Sequence, residues 1–344
     1  MGMMSKTITF VVPAYNMETY LERCINSLVA LQDNEDIEVI IVDDGSTDGT
    51  ASLIDTYARR MPSTVKAIHE PNRGHGGAVN TGIAQARGVY VKVVDADDWV
   101  GPESLTRLMG TLRSQAAKSE PVDLIVTDYV YDKLGRRRKH VVRFNHVMNA
   151  DQILSWNDLR RFGIAQYMIM HALIFRTKVV RDSGMRLPEH TFYVDFIYAY
   201  QPFPWVRTIM YLDTPLYHYF IGRNGQSVQT DVMIRRVGQL LLVNHLMALA
   251  TPSKADVPAG LYSYMIHFLA INSVVTSVFL ILSRDRKNYE AKRKLWEGLD
   301  ELPAGIGSDV RRKIASRAIN LHGPVGRWVI RWGYRVAERM VGFN

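Results

Sequence analysis

The chain has 344 residues, 47% of them hydrophobic, which is enough to bury a large core and to build two structural units, and this composition excludes an intrinsically disordered chain. A single cysteine, Cys24, excludes an intramolecular disulfide framework and a cysteine-based metal site, a usage that fits a reducing cytosol. The net charge is +8, and from Arg284 onward 14 Lys and Arg face 7 Asp and Glu, so nearly all of the excess lies in the last 61 residues. A basic tail of this kind suits nucleic acid, anionic lipid or solvent, and charge alone does not choose among them. At the amino end, "MGMMSKTITFVVPAYN" lacks the charged, apolar and small-residue regions of a secretory signal, and its serine falls one place short of the myristoylation spacing.

"ITFVV" (8–12) predicts a strand, and Leu21, Cys24, Ile25, Leu28 and Leu31 then recur at helical spacing. "EVIIV" (38–42) predicts a second strand. "DGSTDGT" follows it, with Ser46, Thr47 and Asp48 as candidate N-caps of a helix that carries Ile54, Tyr57, Ala58 and Met61 on one face. "VKAIH" (65–69), "VYVKVV" (89–94) and "VDLIVTDYVY" (122–131) continue the strand series. Strands alternating with helices imply an α/β fold with a mostly parallel sheet covered on both faces and ligands at the carboxyl ends of the strands. After residue 130 the pattern loosens, with "DKLGRRRKH" as a basic turn and a mixture of short helices and strands over 150–215. From about residue 230 the pattern is helical, over 237–250, 262–282 and 325–341.

"VKVVDADDWVGPE" (91–103) ends a β-branched run in three acids, Asp95, Asp97 and Asp98. Neither a Walker A sequence nor GxGxxG follows the first strand, and "GHGG" (74–77) follows the third. Without a cradle of backbone amides a diphosphate needs a cation, and a Mg or Mn ion takes hard oxygen ligands, which Asp95 and Asp97 can supply from a strand end. Helix capping or surface turns would account for one such aspartate, whereas three together repel one another without a cation.

"VVPAYNMETYLERCINSL", "EVIIVDDGSTDGT" and "NRGHGGAVNTGIAQARGVYVKVVDADDW" together resemble the family 2 glycosyltransferases of the GT-A fold, of the kind that builds bacterial cell-surface polysaccharides or glycolipids. The resemblance implies a Rossmann-like GT-A domain over 1–230, and the charge and helical pattern of 231–344 predict a basic helical region for a membrane-surface or oligomer contact. It implies that Pro13, Ala14 and Tyr15 seat the nucleotide base, with Tyr15 as a stacking face. Asp44 would hold the uracil or ribose, with Asp43 sharing that task or capping the turn. Asn72, Gly74 and Asn80 would wall the base, while Val79 stands where relatives often carry arginine. Asp95 and Asp97, with Ala96 between them, match the family's DxD, one reaching ribose or metal and the other the metal that bridges the diphosphate. Asp98 and Trp99 would shape the donor sugar pocket.

The family's catalytic base follows the DxD by roughly 100 residues, as the aspartate of a Glu-Asp pair at a helix start. In "LPEHTFYVDFIYAY" Asp195 holds that place and Val194 replaces the glutamate, with Glu189 as the second candidate; a capping or buried paired acid is the alternative for Asp195. "LYHYFIGRNGQSV" resembles the segment that closes over the donor. There His218 is either a further metal ligand, a diphosphate contact or a structural residue, and Arg223 and Ser227 lie on a loop that could cover the diphosphate and exclude water.

The resulting expectation is an inverting glycosyltransferase, dependent on Mn or Mg, that moves sugar from a nucleotide-diphosphate donor, a UDP-sugar, to a hydroxyl of a saccharide, glycolipid or cell-wall polymer. A nucleotidyltransferase on a related sheet lacks its Gly-rich, Arg-Lys-bearing triphosphate loop here. A silent membrane-associated sugar-nucleotide binding protein finds support only in the missing glutamate. The apolar stretch 262–282 is long enough to span a bilayer, yet His267, Asn272, Thr276 and three serines suit a buried helix better. In the last helix, arginines at 327, 331, 335 and 339 run beside Trp328, Trp332, Val336 and Met340. That composition fits a helix lying in an anionic membrane surface, or one that packs its tryptophans on the protein. No nucleic-acid-binding motif accompanies the charge. The expected location is the cytoplasm, with peripheral attachment to the inner face of the membrane and a homo-oligomer both left open.

Overall fold

In the computed structural model, residues 6–135, 139–222, 226, 229–321 and 323–341 are described, apart from the side chains of 304, 324 and 336–341. Arg223 and Ser227, and the side chains of Val336, Arg339 and Met340, lie outside this description. Two compact units form, one from 1–160 and 168–220, the other from 161–167 and 221–344.

The first unit begins with β1 (Ile8–Ala14), α1 (Leu21–Leu28), β2 (Ile37–Asp43), α2 (Thr50–Arg60), β3 (Val65–His69), α3 (Gly74–Gln85) and β4 (Tyr90–Val93). All seven residues of β1 and of β2 are buried, as β-branched runs in the interior of a sheet should be. The chain continues through β5 (Trp99–Val100), α4 (Pro102–Ala116), β6 (Leu124–Lys133), β7 (His140–Val142), β8 (Ile153–Leu154), β9 (Leu173–Arg176), α5 (Thr177–Asp182), α6 (Asp195–Tyr198) and β10 (Ile209–Ile221). The sheet order is β3-β2-β1-β4-β9-β6-β10-β5, with β7 on β6 and β8 on β10.

β1, β2, β3 and β4 pair in parallel, as the alternation of strands and helices predicts. Beyond β4 the pairing is antiparallel, β9 to both β4 and β6 and β10 to β5 and β8, so the sheet is mixed and its parallel part is the first half. Ala14 pairs with Asp43 and Asp43 with His69, so the segments that follow β1, β2 and β3 leave the sheet side by side, and the segment after β4 leaves at the same end. α1 ends before Leu31, and α2 starts at Thr50 behind Gly49. Of the three candidate caps only Asp48 touches that start, accepting from the Thr50 N–H at 3.0 Å.

The second unit contains α7 (Thr230–Arg235), α8 (Val237–Leu249), α9 (Ala259–Leu282), α10 (Arg286–Asp300), α11 (Ile306–Arg312), α12 (Ile314–Ile319) and α13 (Gly323–Val341). α9 is the centre of this bundle and touches all six of the others. It is long and apolar enough to cross a membrane, but most of it is buried inside the unit. Three of its polar groups are paired there: Asn244 donates to Asn272 Oδ1 at 2.8 Å and to Ser273 Oγ at 2.9 Å, and the Trp296 indole donates to Ser277 Oγ at 3.0 Å, while Asn272 Nδ2 and Thr276 Oγ1 have no partner among the described residues. Buried polar atoms satisfied by neighbouring helices are the pattern of a bundle core.

Candidate active site

At the carboxyl end of the parallel strands the first unit gathers its acids. Asp43 and Asp44 are nearly inaccessible. Asp43 accepts from the Ser46 N–H at 3.0 Å and lies 2.9 Å from His69 Nδ1; burial pushes its carboxyl up, but these two partners outweigh burial and leave it below its usual range. Asp44 faces the next loop, accepting from the Arg73 N–H at 2.6 Å, while burial raises its pKa. Asn72 donates to the Asp44 carbonyl at 2.9 Å, and Tyr15 projects its ring into solvent just past the buried Pro13 and Ala14. The strand register thus brings the loops that carry Tyr15, Asp44 and Asn72 side by side.

Gly74 adopts φ +74°, and a Cβ there would lie 2.8 Å from the His190 nitrogen, so both its handedness and the close approach of the 187–195 segment require glycine. The same approach recurs at Gly76, where a Cβ would sit 2.5 Å from the Pro188 carbonyl oxygen. Asn80 closes the contact with both ends of its amide, donating to the Leu187 carbonyl at 2.8 Å and accepting from the Leu187 N–H at 3.0 Å. Asn80 therefore holds the segment that leads to Asp195. Val79 is fully buried.

The three acids after β4 have three different settings. Asp95 is partly exposed, its Oδ1 lies 2.8 Å from His75 Nε2, and this carboxylate raises the histidine's pKa against the opposing effect of burial. Asp97 is nearly buried, and its carbonyl accepts from Arg23 at 2.8 Å. Asp98 is fully buried, accepting from the Tyr217 hydroxyl at 2.6 Å and from the Phe220 N–H at 2.7 Å; burial and the neighbouring carboxylates of Asp97 and Asp95 push it well above the usual range. Asp98 is thus an internal anchor for β10. The Tyr217 hydroxyl also accepts from the Asp95 N–H at 3.1 Å, so one side chain fixes both ends of the acidic turn. Ala96 is buried between them.

Sequence reasoning missed two histidines here. His75 lies within the "GHGG" stretch, and His171 precedes β9 with no local motif to mark it. His171 is 5% exposed, and neither ring nitrogen has a hydrogen-bond partner among the described residues. Its Nε2 stands 4.0 Å from Asp95 Oδ2 and 3.9 Å from Asp98 Oδ2, and burial lowers its pKa to about 4, which leaves the ring neutral. Two carboxylates and a neutral imidazole converging in this way form a donor set that could hold a metal ion. His218, by contrast, stacks on Trp99 at 5.1 Å with its Nδ1 3.4 Å from Asp132, on the opposite side of β10 from Tyr217 and Tyr219, whose rings touch His171. Trp99 is also covered by the Arg23 guanidinium at 3.7 Å.

Asp195 starts α6 beside this cluster. Loss of water pushes its pKa up to about 6, with His75 opposing and Asp95 adding to the rise. Glu189 is bound elsewhere, paired with Arg73, which holds its carboxyl below the usual range. The segment between them is tightly folded, with His190 at φ 49° and Tyr193 at φ 65°.

The sequence model described as glycosyl transferase family 2 matches residues 9–181, half of the chain. The chain belongs to that family. EpsH of Bacillus subtilis (strain 168) is 29% identical over 237 residues, 64% of this chain and 62% of EpsH, so the match spans under two thirds of that relative's length. Among solved structures, Staphylococcus aureus TarS 1–349 in complex with UDP-GlcNAc superposes with a TM-score of 0.67 at 19% identity, covering 96% of this chain and 92% of that one. A mannosyltransferase from Pyrobaculum calidifontis, in complex with GDP-Man and Mn2+, gives a TM-score of 0.54 at 17% identity, over 93% of this chain and 89% of that one. The first unit has the GT-A fold.

Proposed function

We propose that this chain is an inverting glycosyltransferase that moves a sugar from a nucleotide-diphosphate donor, a UDP-sugar, to a hydroxyl of a saccharide, glycolipid or cell-wall polymer. The observation that carries this reading is Asp195, a carboxylate with its pKa raised to about 6, set beside Asp95 and His75 at the end of the parallel strands. UDP-GlcNAc in the TarS complex and the poly(ribitol-phosphate) acceptor in the name of that relative support a UDP-sugar and a surface-polymer precursor.

Tyr15, Asp44, Asn72 and Gly74 would form the nucleoside end of the site, with Asp44, held by the Arg73 N–H, as the acceptor for a ribose or base donor. Asp95 and Asp97, the pair of the DxD, would hold a divalent cation of the Mn or Mg type, and the convergence of Asp95 with Asp98 and the neutral, unpartnered His171 supports a further imidazole ligand from that residue. When bound, the ion supplies charge stabilisation to the departing diphosphate. Asp195 accepts the proton of the acceptor hydroxyl as that oxygen forms its bond to the anomeric carbon. The bond from that carbon to the diphosphate oxygen breaks, and its electron pair leaves with the nucleoside diphosphate. Inversion follows from attack on the face opposite the leaving group. Glu189 does not compete for the proton because Arg73 keeps it ionised and occupied.

A panel of nucleotide sugars tests this, measured with and without Mn2+ on wild type, Asp97→Ala and Asp195→Asn. One UDP-sugar should bind in a metal-dependent way, with binding lost in Asp97→Ala and retained without turnover in Asp195→Asn. Failure of every nucleotide sugar to bind in the presence of metal would sink the reading.

A further inference from the structure

We infer that α13 is a docking helix for an anionic lipid surface. This inference rests on the second unit alone and is independent of the reaction proposed above. The helix has three longitudinal stripes. Gly326 is buried and Ile330 and Tyr334 are half-buried, and these turn toward the bundle, where Tyr334 meets Phe279 edge to face at 5.8 Å and its hydroxyl lies 2.8 Å from Thr230 Oγ1. Val325, Trp328, Val329 and Trp332 follow the i, i+3, i+4, i+7 spacing of a second face. That face is open to solvent, the two tryptophans at 62% and 57% exposure. Between the two faces run Arg327, Arg331 and Arg335.

The tryptophans of α13 are therefore not core residues, and two exposed indoles at one helical spacing form an apolar patch that a surface in water does not keep without a use. Ile314 and Leu321, in the segment before the helix, are exposed as well. Charge decides the occupant. From Lys313 to Val341 the chain carries six Lys and Arg and one acid, Glu338. A second copy packed antiparallel on this face, about a two-fold axis perpendicular to the helix, would set the arginine stripes against one another. An anionic leaflet neutralises the same stripe, while the indoles take the headgroup boundary, where an amphipathic ring gains most.

The full-length chain is floated with phosphatidylcholine vesicles and with equimolar phosphatidylcholine and phosphatidylglycerol vesicles, as wild type, Trp328→Ser/Trp332→Ser and Arg331→Gln/Arg335→Gln. Wild type should bind the phosphatidylglycerol vesicles about tenfold or more tightly than phosphatidylcholine alone, with binding that weakens as salt rises. Each double variant should lose most of that binding while its circular dichroism and elution volume stay unchanged. On the wild type itself, brominated phosphatidylglycerol should quench tryptophan fluorescence, a readout that needs no variant to fold. The inference is overturned by absence of wild-type binding, by equal binding of the tryptophan variant, or by binding to oligonucleotide in place of vesicles. A concentration-dependent dimer that the tryptophan variant abolishes, without vesicle binding, overturns it in favour of a second copy.

Discussion

Arg73 and Glu189, 116 positions apart in sequence, form an ion pair that ties the entry of α3 to the segment carrying Asp195. The backbone of Arg73 makes the tie double, because its N–H binds Asp44 and its carbonyl accepts from the His190 N–H at 2.9 Å. Arg73 thus holds both Asp44 and the segment that leads to Asp195. Both side chains are more than a third exposed, so the ion pair itself contributes little, and the backbone bonds persist in a side-chain variant. Glu189→Gln should therefore keep turnover within about fivefold of wild type, whereas Asp195→Asn should lose roughly a thousandfold or more. Steady-state kinetics on the two variants distinguish these carboxylates, and a loss in Glu189→Gln as large as in Asp195→Asn would move the base to Glu189.

The pH profile gives a second test. With the Asp195 pKa near 6, turnover should rise about tenfold per unit below that value and level off above it. The same shift has a sign for stability. A carboxyl whose folded pKa lies above its unfolded value binds more protons when folded between about pH 4 and 6, so stability falls as pH rises through that window. Asp195→Asn should consequently melt at the same temperature as wild type or a few degrees higher at pH 7.5, and lose that advantage at pH 4. Differential scanning calorimetry at the two values checks it.

Metal affinity separates the two histidines. His171→Leu should weaken Mn2+ binding about tenfold or more, as expected for loss of an imidazole ligand, while His218→Leu leaves it unchanged. Titration calorimetry or the electron paramagnetic resonance of free Mn2+ reads this without turnover. Equal effects of the two substitutions would remove His171 from the ligand set.

Tyr217→Phe removes one oxygen that serves two partners, the buried Asp98 carboxylate and the part-buried Asp95 N–H. Leaving both unsatisfied should cost roughly 1–3 kcal/mol and lower the urea midpoint. A donor affinity that falls with it would show that the acidic turn has loosened.

The parallel half of the sheet was legible because its strands are buried on both faces and read as continuous β-branched runs, each closed by a polar loop. Asp44 and Asp95 stand just past the ends of β2 and β4 and share that legibility, whereas Asp195, at the start of a four-residue helix with no visible period, is marked by the family resemblance alone. His171 has neither mark. It stands 76 positions after Asp95 in sequence, and only the sheet order brings β9 beside β4. His218 shows how much one residue of parity matters. On β10, Tyr217 and Tyr219 face His171 while His218 and Phe220 face Trp99, because successive side chains of a strand point to opposite faces. The sheet pairing that sets this parity, His218 opposite Trp99, joins residues 119 positions apart and leaves no mark in the local sequence. The mixed pairing beyond β4 was hidden likewise, since a strand's direction depends on where it docks.

Cys24 sits directly beneath the acidic turn, fully buried, with its sulfur 3.7 Å from the Asp95 carbonyl oxygen. Burial, with Asp98, Asp97 and Asp95 close by, drives the thiol's pKa well upward, so almost no thiolate is available to an alkylating reagent. Since the sequence has no other cysteine, the folded chain should react only slowly with maleimides and iodoacetamides. A cysteine introduced at an exposed position therefore becomes the single reactive handle, and fluorophores or spin labels can be placed on either unit without first stripping the scaffold of thiols.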